Sequence, residues 1–172
     1  MLITLLGYMG SGKSIVGEQL SKYLDYNFID LDNEISLQNN ISIKEIFSKK
    51  GEIYFRKEEH RILIELLQRK KSVISLGGGT AAYYNNIHLI NKYSFSIYLK
   101  ANAKTLTERI FDEKDNRPII SHLAQKNQLE EFINIHLFER SYFYQKAKFI
   151  VEVDTKSVEN IVSEIIAHLA QS

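Results

Sequence analysis

The sequence predicts an α/β fold with three layers, in which a five-stranded parallel sheet lies between helices. Short apolar runs alternate with segments of helical periodicity along all 172 residues. This alternation is typical of parallel strands joined by right-handed crossovers. A glycine-rich segment follows the first apolar run directly, as at the ligand-binding edge of many such sheets. The length suits a single buried core, so we expect one domain over residues 1–172.

The first apolar run, Leu2 to Leu6, is expected to be a buried strand, and the next eight residues read Gly-Tyr-Met-Gly-Ser-Gly-Lys-Ser. This is the pattern of a phosphate-binding loop, in which glycines let backbone N–H groups surround a phosphate. Lys13 would place its charge between the β- and γ-phosphates, and the Ser14 hydroxyl would serve as a ligand of Mg²⁺. A flexible Gly/Ser turn is the alternative, but the strand before the segment and the helical pattern after it favour phosphate binding.

Composition bears on the partners and the compartment of the protein. Lys and Arg number 22 against 21 Asp and Glu, a formal charge of +1, so no general nucleic-acid or membrane partner is expected. The chain has no cysteine, which suits a reducing compartment, and we expect the cytoplasm. The apolar start is too short for a membrane span and lacks the features of a signal peptide.

After a helix with apolar residues from Val16 to Leu24, a short strand is predicted over 27–30, and we expect it to pair in parallel with the first strand. Two acids, Asp30 and Asp32, stand where this strand ends. Because carboxyl ends of parallel strands converge on the phosphate-binding crevice, Asp30 can face a metal and Asp32 an acceptor. An ordinary turn at the end of a strand is the alternative.

A capping box, Ser42 to Glu45, predicts a short helix that ends at Gly51, and a second helix is expected from about Tyr54. Arg56 lies at the start of this second helix rather than in its exposed middle. It is either a ligand-binding arginine or one engaged in an ordinary salt bridge.

Three consecutive glycines, Gly77 to Gly79, follow a buried strand over 72–76. A tight turn needs only one or two glycines, so the triplet indicates a wall where a ligand lies against the main chain. No acid stands at the end of this strand, where other P-loop proteins carry a metal-binding aspartate, so Asp30 is the available candidate.

A helix over about 85–92, a strand over 94–99 and a helix opened by Asn102 are predicted next. Residues 112–123 are charged, lack periodicity and contain the only proline. We interpret them as a lid whose Arg117 reaches the transferring phosphoryl group. A solvated surface loop is the alternative.

A long helix over about 128–145 places Arg140 on or beside its inward face. An unpaired charge there would be costly, so Arg140 should have an anionic partner. A strand over 147–153 and a helix from Thr155 complete the five-stranded pattern.

In order and over nearly the whole chain, the sequence resembles the shikimate kinase family. The segments that carry the resemblance are the phosphate-binding loop, Phe28-Ile29-Asp30-Leu31-Asp32, Phe55-Arg56, Leu76-Gly77-Gly78-Gly79, Arg117-Pro118 and Arg140. It implies a P-loop NTPase fold of the nucleoside monophosphate kinase-like group. It also implies transfer of the γ-phosphoryl group of ATP to the 3-hydroxyl of shikimate, with Mg²⁺ as cofactor.

The resemblance also implies a role for each matching residue. The catalytic residues would be Lys13, Asp32 and Arg117, and the metal would be held by Ser14 and, through water, by Asp30. The ATP-binding residues would be Gly10, Ser11, Gly12, Lys13, Ser14, Ile15, Arg109 and Arg117. The substrate-binding residues would be Asp32, Arg56, Gly77, Gly78, Gly79 and Arg140, with a substrate-binding helical segment over about 32–60.

Arginine usage supports this assignment independently, because four of the six arginines fall at candidate ligand positions in a chain with sixteen lysines. The arginine fork binds carboxylate or phosphate in a bidentate manner, which lysine cannot do. The match is weaker on the adenine side, where the spacing from Arg109 to Arg117 varies in the family. A proline often found shortly after the position of Asp154 and Thr155 is also missing.

Two other functions remain open at this point. One is another small-molecule kinase, such as a gluconate kinase or a nucleoside monophosphate kinase, and the triple glycine and the two arginines Arg56 and Arg140 argue against it. The other is a nucleotide-binding regulatory protein without turnover, against which stand the intact Lys13, Ser14, Asp32 and Arg117. We expect a monomer whose partners are ATP and shikimate.

Overall fold

A parallel five-stranded sheet forms the centre of the protein, as the sequence predicts. The structure, a computed structural model, describes residues 1–112, 120 and 122–171. The strands are β1 (Leu2–Leu6), β2 (Asn27–Asp30), β3 (Ser72–Ser75), β4 (Phe95–Lys100) and β5 (Phe149–Glu152). Helices on both faces complete the three layers, so the predicted fold class is confirmed. The lid prediction falls largely on residues 113–119 and 121, and Arg117 with it lies outside the described residues.

The strand order is β2-β3-β1-β4-β5, and it corrects one expectation. The second strand pairs with β3, with Phe28 beside Val73, and does not pair with β1. All five residues of β1 are buried, whereas β2 is only partly covered, so β1 takes the centre and β2 an edge. β1 pairs with β3 on one side and with β4 on the other, so the connections that follow it run to opposite sides of the sheet. At such a point a crevice opens at the carboxyl end of the central strand.

The helices of the described chain carry the remaining sequence patterns. They are α1 (Lys13–Leu24), α2 (Leu31–Asn39), α3 (Ile43–Leu66), α4 (Asn86–Tyr93), α5 (Ala103–Ile110), α6 (Lys126–Tyr144) and α7 (Val158–Leu169). A short 3₁₀ turn, Thr80–Ala82, follows the glycine triplet. Within α3 the backbone of Gly51 has φ 80° and ψ 171°, so the helix is broken where the sequence predicts one helix to end. The capping box of Ser42 and Glu45 is present at its start.

Helix α2 was not predicted as a separate helix from the residue pattern, although the helical segment over about 32–60 that the resemblance implies includes it. It begins directly after β2, and the carboxylate of Asp30 caps it by accepting hydrogen bonds from the backbone N–H groups of Asp32 (3.0 Å) and Asn33 (3.2 Å). Leu31 and Ile35, one turn apart, bury its inner face. The acid that marks the end of the strand is therefore also the start signal of the next helix.

Two hydrophobic clusters pack on opposite faces of the sheet. Alternate residues of β1 divide between them, with Ile3 and Leu5 in one cluster and Leu2 and Leu6 in the other. Helix α6 contributes Ile133 to the first cluster and Tyr144 to the second. It therefore runs past the edge of the sheet and carries its last turns to the side of α2 and α3. Within the described residues, none of the helices combines the length and the apolar character needed to cross a membrane.

Candidate active site

The loop between β1 and α1 has the backbone geometry of a phosphate-binding loop. Gly10 (φ 81°) and Gly12 (φ 95°) adopt left-handed conformations that a residue with a side chain rarely takes. Gly12 directly precedes the first turn of α1, so the free N–H groups of that turn face the loop. The hydroxyl of Ser11 is buried and forms no hydrogen bond with any described residue. A buried, unpaired donor beside free N–H groups fits a site that receives an anionic ligand.

Lys13 is folded over this loop. Its Nζ donates hydrogen bonds to the carbonyl oxygens of Gly7 and Tyr8, both at 2.9 Å. The ammonium group is thus held above the residues that would surround a phosphate. This position suits a cation that moves from main-chain carbonyls to phosphate oxygens when a nucleotide binds.

A hydroxyl and a carboxylate meet beside the loop at the place expected for a metal. The Oγ of Ser14 donates to Oδ2 of Asp30 at 3.3 Å, while the other carboxylate oxygen of Asp30 caps α2. No group of three or more His, Asp or Glu residues in the described chain could hold a metal on its own. This donor set fits Mg²⁺, which keeps several waters and is bound through one or two carboxylates and substrate phosphates.

Two adjoining cavities open at the carboxyl end of the sheet. The first, of about 560 Å³, is lined by the phosphate-binding loop, Asp30, Ile15 and Arg109, and we call it the nucleotide cavity after the ligand predicted from the sequence. The second, of about 570 Å³, is lined by residues of α3, the glycine triplet and Arg140, and we call it the acceptor cavity for the same reason. Four residues line both cavities: Met9, Asp32, Gly77 and Gly78. A group held in one cavity can therefore meet a group held in the other beside the carboxylate of Asp32.

Asp32 has the electrostatic environment of a base. Its side chain is open to the cavities but surrounded on its other sides by protein, and this desolvation is the largest cause that raises its pKa to about 6. The carboxylates of Asp30 and Glu59 raise the pKa further, while Lys13 and Arg56 lower it. A carboxylate with such a pKa is ionised at neutral pH and holds a proton more readily than an ordinary aspartate.

Arg56 is held rigidly at the acceptor cavity. Its Nη1 donates to the buried carboxylate of Glu59 at 2.8 Å, and Glu52 accepts from its other nitrogens at 3.4 Å. The centre of the Tyr83 ring lies 3.9 Å from the guanidinium carbon of Arg56. The Tyr83 hydroxyl donates a hydrogen bond to Glu52 at 2.8 Å. Arg56 is therefore a salt-bridged arginine that also lines the acceptor cavity, and its binding of a ligand stays a prediction.

Arg140 reaches the same cavity from α6. Its Nη1 lies 3.4 Å from the carbonyl oxygen of Gly78, and its guanidinium lies 5.5 Å from the centre of the Tyr8 ring. Among the described residues no carboxylate forms an ion pair with it, so the anionic partner expected from the sequence is not a protein side chain there. Its environment suits an anion supplied by a ligand.

The glycine triplet forms the wall between these groups. A Cβ atom on Gly79 would lie 2.9 Å from both terminal nitrogens of Arg56, and one on Gly77 would lie 3.1 Å from Oδ1 of Asp32. The glycines thus allow charged side chains to approach the main chain, in addition to lining the cavity. Opposite them, the rings of Phe47 and Phe55, 4.6 Å apart, give the cavity an apolar surface.

The sequence model of a single family, described as shikimate kinase, matches residues 9–170 of the chain. The chain belongs to the shikimate kinase family. The resemblance noted from the motifs is therefore confirmed.

Relatives of known name agree with this assignment. A shikimate kinase of Flavobacterium johnsoniae is 45% identical over 170 residues, which cover 98% of each chain. Among solved structures, shikimate kinase from Bacteroides thetaiotaomicron has a TM-score of 0.93 at 31% identity and covers 99% of this chain and 98% of its own. Shikimate kinase from Acinetobacter baumannii in complex with shikimate has a TM-score of 0.89 at 30% identity and covers 99% and 93%.

Within this shikimate kinase fold, Arg109 lines the nucleotide cavity together with Asp32. Its two terminal nitrogens donate to the carbonyl oxygens of Gly10 (3.3 Å) and Val153 (2.9 Å). It therefore joins the phosphate-binding loop to the end of β5. Nearby, the carboxylate of Asp154 accepts a hydrogen bond from the backbone of Asn102 and anchors the start of α5.

Sequence reasoning missed the residues that support the arginines. Glu59 is 1% exposed and also accepts a hydrogen bond from the hydroxyl of Thr80 at 2.6 Å. Its position three residues after Arg56 on a helix could have predicted their ion pair, because residues at this spacing lie on the same face. Tyr83 and Tyr144, which contact Arg56 and Gly78, follow no local pattern.

Proposed function

We propose that this protein transfers the γ-phosphoryl group of ATP to the 3-hydroxyl of shikimate, giving shikimate 3-phosphate and ADP. The observation that carries the proposal is the place of Asp32 at the junction of the two cavities, between the phosphate-binding loop and the paired arginines. Direct transfer requires acceptor and phosphoryl group to meet at one point. Family membership favours shikimate over gluconate or a nucleoside monophosphate as the acceptor.

On the nucleotide side, the loop N–H groups from Gly10 to Ser14 would bind the phosphates and Lys13 would follow the developing charge. Ser14 and, through water, Asp30 would hold Mg²⁺, which when bound neutralises phosphate charge. Ile15 and Arg109 would line the nucleotide. From sequence alone we also assign Arg117 to the phosphates, as part of a closing lid.

On the acceptor side, Arg56 and Arg140 would bind the shikimate carboxylate, and Gly77 to Gly79 would lie along the substrate. Asp32 would orient the 3-hydroxyl and take its proton as the oxygen attacks the γ-phosphorus. The bond between the γ-phosphorus and the bridging oxygen of ADP breaks as the new bond forms. The raised pKa of Asp32 suits this proton transfer at neutral pH.

The direct test is an assay that follows ADP release with ATP, Mg²⁺ and shikimate, with gluconate and AMP, CMP and GMP as competing acceptors. We expect turnover with shikimate and at least a hundredfold lower kcat/KM with the others. Phosphorus NMR should show a phosphate ester at the 3-position. Turnover of gluconate or a nucleotide in preference to shikimate would refute the proposal. We further expect a cytoplasmic monomer, which gel filtration with light scattering and cell fractionation would check.

Replacing Arg56 with lysine should raise the KM for shikimate by tenfold or more and leave the KM for ATP within about twofold. A lysine ammonium is a point charge that can neither bind a carboxylate in a bidentate manner nor keep the contacts with Glu59 and the Tyr83 ring together. Steady-state kinetics with each substrate varied gives both constants.

The matched control is Arg61→Lys on the same helix, where the arginine forms exposed salt bridges with Glu58 and Glu65. This variant should leave both constants unchanged. Equal increases in the two KM values for Arg56→Lys would place Arg56 outside acceptor binding.

Adding a methyl group at Gly79 should raise the KM for shikimate several-fold without unfolding the protein. The backbone there has φ −100° and ψ −16°, which alanine adopts freely, so Gly79→Ala adds only a steric contact with the Arg56 guanidinium. Kinetics and a thermal melt together measure the effect. A lowered Tm with an unchanged KM would mean that Gly79 serves folding rather than the position of Arg56.

A further inference from the structure

A buried tyrosine on α6 holds the wall between the two cavities. The hydroxyl of Tyr144 donates a hydrogen bond to the carbonyl oxygen of Gly78, a residue that lines both cavities. The side chain is 1% exposed, and its ring packs against that of Tyr98 with centroids 4.9 Å apart. The hydroxyl is thus fixed in direction, and desolvation by burial raises the pKa of Tyr144, so it remains a donor.

Arg140 donates to the same carbonyl oxygen. Arg140 and Tyr144 are four residues apart on one helix and therefore face the same way. The Arg140 bond, at 3.4 Å, is long for a hydrogen bond of a charged donor. The Gly78 oxygen thus has two donors, the Tyr144 hydroxyl and a distant Arg140 guanidinium.

We propose that Tyr144 is a positioning residue that satisfies the Gly78 carbonyl, so that Arg140 is released to bind the acceptor carboxylate. The proposal rests on the function proposed above. When Arg140 turns to a carboxylate, an oxygen with Arg140 as its only donor would be left unpaired in a cavity that the ligand closes. With Tyr144 in place the oxygen keeps a partner, and the wall of both cavities keeps its position.

The test is Tyr144→Phe, which removes the hydroxyl and retains the ring. We expect the KM for shikimate to rise about tenfold, as for a buried acceptor left unpaired, with kcat and the KM for ATP within about twofold. The control Tyr98→Phe removes a hydroxyl from the ring packed against Tyr144 and should leave all three constants within twofold. A folded Tyr144→Phe protein with an unchanged KM for shikimate overturns the proposal.

A second comparison separates positioning from general packing. In an Arg140→Ala background, Tyr144→Phe should have no further effect on the KM for shikimate, because the arginine that it releases is gone. The same increase in both backgrounds would show that Tyr144 acts independently of Arg140 and would overturn the proposal. Wild-type protein measured in parallel tests the proposed function separately, because its failure to phosphorylate shikimate would overturn that function whatever the variants do.

The wild-type protein offers a measurement that does not depend on a folded variant. Gly77–Gly78 and Gly78–Gly79 are the two pairs of adjacent glycines in the chain. Labelling glycine with ¹³C at the carbonyl and ¹⁵N therefore gives two correlated NMR signals, one of which reports the Gly78 carbonyl. We expect this carbonyl shift to keep its hydrogen-bonded value when shikimate, ADP and Mg²⁺ saturate the protein. A shift to the value of a free carbonyl would overturn the proposal.

Discussion

Asp32→Asn is expected to lower kcat at least a hundredfold while the protein stays folded. The amide keeps the shape of the side chain but cannot accept the proton of the attacking hydroxyl, and a contact made in the transition state commonly accounts for 10²-fold or more. In the wild type kcat should fall as the pH drops through about 6, because Asp32 is then protonated. The variant should lack this dependence. The measurement is kcat across pH 5 to 8.

The matched control is Glu34→Gln on the same helix, whose carboxylate accepts a hydrogen bond from Gln38 and lines neither cavity. It should keep normal turnover and the same pH profile. Near-normal turnover by Asp32→Asn would show that the carboxylate at the junction of the cavities has no part in the chemistry.

The same substitution should stabilise the protein at neutral pH. The pKa of Asp32 is raised from 3.8 to about 6, so the folded state binds this proton more tightly than the unfolded chain. The protonated side chain therefore adds to the free energy of unfolding below pH 4, and this contribution is lost as the pH rises to about 6. Two pKa units correspond to about 3 kcal/mol, reduced to about 1 kcal/mol because the side chain faces solvent. The Tm of Asp32→Asn should exceed that of the wild type at pH 7.5, and the gain should disappear near pH 4.

The fold could be predicted where the chain pattern is local. Apolar runs and helical periodicity mark the five strands and most helices, and the Gly51 break and the Ser42 capping box stand where the sequence places them. The pairing of β2 with β3 could not be predicted, because the sequence of a short parallel strand does not show which strand lies beside it. Helix α2 was not recognised as a separate helix, because one residue, Asp30, both ends a strand and caps a helix.

In the candidate site, too, residues in local motifs could be predicted, while a residue whose role depends on a distant contact could not. Lys13, Asp32 and the glycine triplet could be identified because their motifs have fixed spacing, and the structure brings them to one edge of the sheet. Tyr144 could not, because the contact that gives it a role joins residues 66 positions apart, whereas Glu59 was overlooked although it stands only three residues after Arg56 on the same helix. The expectation that Arg140 needs an anion was sound electrostatics, but no described carboxylate supplies it.

Lys13→Ala should reduce kcat at least a hundredfold, with a smaller rise in the KM for ATP. In the structure its ammonium group is held 2.9 Å from the carbonyl oxygens of Gly7 and Tyr8, above the loop that would bind phosphate. The charge would matter most when negative charge moves onto the leaving oxygen, so its loss affects kcat more than binding.

The matched control for this substitution is Lys22→Ala, an exposed lysine in the last turn of the same helix, which should keep wild-type kinetics. Circular dichroism and a thermal melt show whether Lys13→Ala is folded, and the two lost carbonyl bonds should lower the Tm by only a few degrees. If folded Lys13→Ala keeps more than a tenth of the wild-type kcat, the loop from Gly7 to Ser14 does not bind the phosphate that is transferred. The cavity beside Asp32 would then need another source of positive charge.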